Sequence, residues 1–178
     1  MISLLVFSPL QPYGAFMDLF NKAERVITQA AANGYIILSA ESCTAGMIGA
    51  ALTESAGASK AYHGGFIVYD NHAKNTFINV SDNILNAHGA VSSECAEAMA
   101  KGTLDAYPRG NLSIAVTGIA GPEGGSEEKP IGLVYFGCCN TKDGKLYTEK
   151  QIFTGNRKDI RLKTVNHALD MLQAAISA

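Results

Sequence analysis

The sequence predicts an α/β protein, a three-layer α/β/α sandwich around a mixed, mostly parallel sheet. Two observations carry this. Segments with apolar residues at helical spacing alternate with short apolar β-like runs, the pattern of helices covering a sheet on both faces. Late in the chain, Asp143-Gly144 joins two such runs directly. That is a hairpin signal, and it requires at least one antiparallel neighbour.

The elements follow in order. Leu19, Phe20, Ala23, Val26, Ile27 and Ala30 recur at helical spacing between Met17 and Asn33, and Asn33-Gly34 reads as the left-handed end of that helix. Residues 35–39 read as a buried strand and 44–55 as a helix of small residues. Residues 64–69 read as a second strand, followed by a short polar segment holding His72 and Lys74. Ser81 caps a short helix that Gly89 stops. Ser92 caps another helix, with Glu94 in its first turn, that runs to about Ala106. Strands are expected at 111–117, 131–139 and 146–153. Asn156 caps the last helix, with Asp159 completing a capping-box-like pair.

At 178 residues the chain suits one domain with a substantial core. Residues 1–16 are set apart as an N-terminal extension, expected to be dispensable, ahead of a single domain over 17–178. That extension is apolar but broken at Pro9 and Pro12, and it lacks the basic start of a signal peptide. Hydrophobic residues at 47% against 17% charged residues exclude a disordered chain. A net charge of −2 and the lack of any Lys/Arg run argue against a nucleic-acid partner. No apolar run reaches the length of a membrane span. Cys43, Cys95, Cys138 and Cys139 form no C-x-x-C pair, which suggests reduced thiols and a cytoplasmic setting. Alternation sends Cys138 and Cys139 to opposite faces of their strand. His63, His72, His88 and His167 are scattered without ligand spacing, so no metal site is expected.

Two stretches carry chemistry. Residues 117–132 hold five glycines and two prolines between two β-like runs, too long for a mere turn. Small residues there let backbone N–H groups approach an anion, although a plain surface loop has the same composition. The second stretch is Ala40-Glu41-Ser42-Cys43-Thr44-Ala45-Gly46, between a strand and a helix start. That arrangement exposes a nucleophile beside free N–H groups that suit an oxyanion. Ser42 or Thr44 could equally cap the helix. Cys43 is a rival nucleophile, because a thiol at a helix start has a lowered pKa. Arg157, opening the last helix, suits a phosphate or a surface ion pair. Lys74 alone reads as a solvated lysine; it serves as a base only if burial lowers its pKa.

In this order, A-E-S-C-T-A-G, G-G-F-I-V-Y-D-N-H-A-K, T-G-I-A-G-P-E-G-G and F-T-G-N-R resemble the CinA C-terminal domain family over roughly residues 17–175. The stand-alone members of that family are nicotinamide-nucleotide amidohydrolases. The resemblance implies the same sandwich fold, a small-molecule nucleotide substrate, no cofactor and a homodimer. It implies that Ser42 attacks the carboxamide of nicotinamide mononucleotide, that Lys74 takes its proton and that Tyr69 assists. The N–H groups near Cys43 and Thr44 would hold the oxyanion. Thr117, Gly118, Ile119 and Gly121, with Arg157, would hold ribose and phosphate. One departure is Ala45, where the family usually has a second glycine; a positive φ there would strain alanine. The alternative is a non-catalytic nucleotide-binding or regulatory module of the same fold.

Overall fold

The computed structural model describes residues 13–177, with side chains from Asp18 onward. The first twelve residues of the expected extension lie outside the described residues. Helix α1 (Tyr13–Ala32) begins ahead of the expected boundary at Met17, so residues 13–16 belong to it. It ends as Asn33-Gly34 foretold. Gly34 has φ 66°, and the Tyr35 N–H donates to the Ala30 carbonyl at 2.8 Å.

Five strands form one sheet: β1 (Ile37–Glu41), β2 (Tyr62–Ile67), β3 (Leu112–Gly118), β4 (Leu133–Asn140) and β5 (Lys145–Ile152), in the order β2-β1-β3-β4-β5. β1 is parallel to β2 and β3, whereas β3–β4 and β4–β5 are antiparallel. The expected parallel character is therefore confined to one half. The glycine loop returns β3 into β4 without a crossover helix, so β4 must run back along its neighbour.

The remaining helices are α2 (Met47–Thr53), α3 (Asn71–Ile78), α4 (Asp82–His88), α5 (Ser93–Ala106) and α6 (Arg157–Ser177). Alternation along the strands divides the core. Ile37, Leu112, Ile114, Val116, Val134, Phe136 and Cys138 pack with α1, α2 and α6. Ala40 and Ala115 pack with α3, α4 and α5, and Cys139 adjoins that cluster. Each fully buried Ile or Leu, such as Ile114 or Leu169, stabilises by about 1.5–3 kcal/mol. Ser81 and Ser92 cap α4 and α5 as expected, accepting from Ile84 and Cys95 N–H. At the start of α6, Asn156 Oδ1 accepts from the N–H groups of Lys158 and Asp159, and Asp159 reaches back to the Asn156 N–H.

β1 and β2 lie two residues off the expected 35–39 and 64–69, and two helices differ further from expectation. The segment after β2 is a helix, α3, rather than a short polar stretch. Asp70 caps it by accepting from the Ala73 N–H at 2.7 Å, and Asn79 ends it at φ 54°. Its only buried side chains are Lys74 and Ile78, and Phe77 points to solvent. A lysine on the core-facing position hides the apolar period. The second difference is α2, which begins at Met47 rather than at residue 44, because residues 42–46 form a turn. α3 is clamped against α5 at Gly102, where a Cβ would overlap the Ile78 carbonyl.

The parallel trio brings the carboxyl ends of β1, β2 and β3 to one edge of the sheet. Ligands bind at such edges in open α/β sheets.

Candidate active site

Ser42 continues β1. Its N–H donates to the Val116 carbonyl at 3.1 Å, and its carbonyl accepts from the Ala45 N–H at 3.2 Å. Ala45 and Gly46 then take φ 50° and 95°, and the Met47 N–H closes on the Thr44 carbonyl at 3.3 Å. These are the φ signs of a type I′ turn. The turn lifts Ser42 and Cys43 off the strand end and reverses the chain into α2.

Lys74 meets this turn from α3. It is 1% exposed, and its Nζ lies 3.3 Å from Ser42 Oγ. The same nitrogen reaches the carbonyls of Val68 at 3.0 Å, Tyr69 at 3.3 Å and Asp70 at 3.4 Å. Burial pushes Lys74 below its ordinary value of 10.5, with weaker opposing pulls from Cys95, Asp70 and Cys43. That lowering eases the loss of one proton, after which the lone pair of the amine can turn to the Ser42 hydroxyl while its N–H groups stay on the carbonyls.

Cys43 is buried, and burial pushes its thiol up to about 11 despite the nearby Arg161 and Arg157. The lowered pKa expected of a helix-start thiol is therefore not found, and at neutral pH the group is protonated. The first N–H groups of α2 do not face the site either. Those of Gly46, Ile48 and Gly49 donate to the buried carboxylate of Glu41 at 2.8, 3.0 and 2.9 Å. The N–H groups of Cys43 and Thr44, in the turn itself, have no acceptor on another described residue.

A cavity of about 200 Å³ opens at this edge, and it gathers Ser42, Cys43, Tyr69, Lys74, Thr117, Gly118 and Arg157. Thr44, Ile119 and Gly121, expected to touch substrate, do not line it. The Thr44 side chain is fully buried. Ile119 spends its N–H on the Leu133 carbonyl and its own carbonyl on the Gly132 N–H, prolonging the β3–β4 ladder. The Gly121 carbonyl accepts from Arg157 at 2.8 Å. The Tyr69 phenol is also placed differently from expectation. Val68 points into the core and Tyr69 outward, so the phenol accepts from Arg157 at 3.1 Å, and only the Tyr69 carbonyl reaches Lys74. A larger cavity of about 400 Å³ lined by Leu19, Phe153 and Leu162 contains no hydroxyl or thiol nucleophile.

Several residues escaped the sequence reading. Asn71, Ala90, Val91 and Ala120 also line the site, supplied by α3, by the α4–α5 connection and by the glycine loop. Arg161 donates to the Thr44 carbonyl at 2.8 Å and braces the turn. Its spacing of four from Arg157, on one face of α6, was a usable signal. No histidine lines the cavity. His63, His72, His88 and His167 pair with Tyr107, Thr76, Glu94 and Glu149. Among the described residues, no three His, Cys, Asp or Glu side chains converge as metal ligands would, and no helix is long and apolar enough to cross a membrane.

Known proteins share this sequence and fold. The family model for the CinA C-terminal domain matches residues 20–176. The chain is 43% identical over 145 residues to nicotinamide-nucleotide amidohydrolase PncC of Enterobacter agglomerans, covering 82% of this chain and 85% of that protein. It is 38% identical to the Escherichia coli protein of the same name, covering 87% and 93%. It is 41% identical to a putative competence-damage inducible protein of Caldanaerobacter subterraneus, where it spans only 36% of the longer chain. The crystal structure of competence/damage inducible protein CihA from Agrobacterium tumefaciens superposes with a TM-score of 0.85 at 43% identity, over 89% of this chain and 95% of that one. With the family's motifs gathered at one sheet edge and its model spanning nearly every described residue, the chain belongs to the CinA C-terminal domain family.

Proposed function

We propose that the protein is an amidohydrolase that converts nicotinamide mononucleotide to nicotinate mononucleotide and ammonia. The observation that carries this is the buried amine of Lys74 3.3 Å from the Ser42 hydroxyl. Buried lysines are rare, and one poised on a serine at a sheet edge has the geometry of a serine–lysine nucleophile. The names of the relatives from Enterobacter agglomerans and Escherichia coli support the same substrate.

In this reading Ser42 Oγ attacks the carboxamide carbon as its proton passes to Lys74 Nζ. The oxyanion forms against the Cys43 and Thr44 N–H groups. Lys74 returns the proton to the leaving nitrogen, and ammonia departs, leaving a Ser42 ester. Water, deprotonated by Lys74, then cleaves the ester and frees the carboxylate product. Tyr69 and Arg157 stand as a bonded pair at the rim. Arg157 there serves as the anchor for the nucleotide phosphate, beside Thr117 and Gly118. The setting is a reduced cytoplasm, where the product re-enters pyridine nucleotide recycling, and the working unit is a homodimer.

The one feature that favours a non-catalytic binding module is Ala45 in place of glycine. That residue is exposed, lies outside the cavity lining and holds the left-handed φ that glycine would adopt. Ammonia release from nicotinamide mononucleotide by purified protein, with Ser42→Ala as control, tests the proposal. Tight binding without turnover in the wild type would refute it.

A further inference from the structure

Glu41 precedes the proposed nucleophile and faces the other way. Alternation along β1 sends Ser39 and Glu41 to the α2 side of the sheet, while Ala40 and Ser42 point to the α3 side. Glu41 is 1% exposed. A carboxylate can only accept, and here four donors converge on it. One oxygen takes the N–H groups of Gly46 and Ile48, at 2.8 and 3.0 Å. The other takes the Gly49 N–H at 2.9 Å and the Ser39 hydroxyl at 3.3 Å.

The direction of the next bond follows. Ser39 gives its proton to Glu41, so its oxygen accepts from the Tyr62 hydroxyl, 2.8 Å away. Burial raises Tyr62 above its ordinary value and keeps that proton in place. Space for this chain is made by two glycines. A Cβ at Gly49 would come within 2.7 Å of the Tyr62 hydroxyl. One at Gly65 would overlap Ser39 Oγ and crowd the same hydroxyl. The network therefore needs three side-chain identities and two absences of a side chain.

We propose that the Tyr62–Ser39–Glu41 network is a positioning device for the reaction: it clamps the far side of the turn and so fixes Ser42 and the Cys43 and Thr44 N–H groups. The inference rests on Ser42 being the nucleophile. Residues 42–45 are held at one end by the Ser42 N–H on Val116 and from α6 by Arg161 on the Thr44 carbonyl. The carboxylate ties down the other end at Gly46, Ile48 and Gly49. Glu41 also occupies the positive end of α2, so the oxyanion site depends on where the turn holds its own two N–H groups. A misplacement of about 1 Å in such a site lowers the rate by about 100-fold.

The test compares wild type with Glu41→Gln, Glu41→Asp, Ser39→Ala and Tyr62→Phe. Two readouts are used, at a temperature where circular dichroism shows each variant folded. The first is steady-state kinetics with nicotinamide mononucleotide. The second is the rate at which a fluorophosphonate labels Ser42, which needs no knowledge of the substrate. Glu41→Gln sets an amide N–H₂ against backbone N–H donors. It is expected to lower kcat and the labelling rate by about 100-fold, with KM changed less than about threefold. Glu41→Asp keeps the charge and recovers part of that loss. Ser39→Ala and Tyr62→Phe lose less, about three- to tenfold, because they touch only the outer bonds. The pH at which labelling turns on stays at its wild-type value, since Glu41 is not among the groups that shift Lys74. A folded Glu41→Gln protein with wild-type kcat and labelling rate overturns the inference, as does a loss confined to KM. A wild type that labels at Ser42 but releases no ammonia overturns the proposed substrate alone. In that case the labelling rates still decide the role of Glu41. Wild type that does not label at all removes the nucleophile, and this inference with it.

Discussion

Replacing Ala45 with glycine is expected to stabilise the protein. Ala45 stands at φ 50° and Gly46 at 95°, so the turn between Ser42 and α2 demands two successive left-handed residues. For a residue with a Cβ, that conformation costs about 1–2 kcal/mol. Glycine removes this strain but loses about 0.4–1 kcal/mol by making the unfolded chain more flexible. The alanine methyl is exposed, so little apolar burial is lost with it. The balance favours glycine by about 0.5–1 kcal/mol, a rise in Tm of about 1–4 °C for a domain of this size. Asparagine, which tolerates the left-handed region, should give a smaller gain, and valine should lower Tm. Thermal denaturation followed by circular dichroism on the four proteins reads the effect. A fall in Tm for Ala45→Gly, with Ala45→Val unchanged, would refute the strain argument.

Four further outcomes are expected. Ser42→Ala and Lys74→Met each abolish ammonia release while nucleotide binding persists, and Cys43→Ala stays active, because its buried thiol, at about 11, is not a thiolate at neutral pH; kinetics beside calorimetry checks this. Arg157→Ala weakens nucleotide binding, and it narrows the preference for the nucleotide over free nicotinamide, read as KM for the two substrates. Burial depresses Lys74, so between its folded value and 10.5 the unfolded chain binds one more proton. Stability from this group is gained as pH rises through that window and lost as pH falls. Buried Cys43, Cys95 and Cys138 act oppositely above pH 9, since their folded values are raised to about 11, 11 and 12. Urea unfolding of wild type minus Lys74→Met across pH 8–11 isolates the lysine slope, and a difference without slope contradicts it. Activity survives dialysis against chelator, and loss restored by zinc or manganese would contradict the serine–lysine reading.

Local physics made much of the fold legible in the sequence. Capping depends on neighbours a few residues apart, so Ser81, Ser92, Asn156 and Gly34 marked helix ends correctly. Alternation correctly separated Cys138 from Cys139, and Asp143-Gly144 marked the β4–β5 hairpin. The demand of Ala45 for a left-handed backbone was likewise readable as a conditional strain. What the sequence hid were the features that depend on residues far apart. α3 went unread because its inward position is a lysine, and a lysine is inward only because Ser42 and three carbonyls wait for it. The apolar period on which such readings depend cannot signal a buried polar group.

The sequence by itself determined the layers, the helix ends marked by capping residues and the order of the strands along the chain, because these follow from side-chain period and turn chemistry. Only the tertiary structure decided what the site is made of. Parallel pairing of β1 with β2 and β3 brings Ser42, Lys74 and Thr117 to one edge from positions 32 and 43 residues apart. The same packing turned the Tyr69 phenol toward Arg157, raised the Cys43 thiol and gave the start of α2 to Glu41. Each of those outcomes depends on burial and on partners distant in sequence, and neither quantity exists until the sheet has formed.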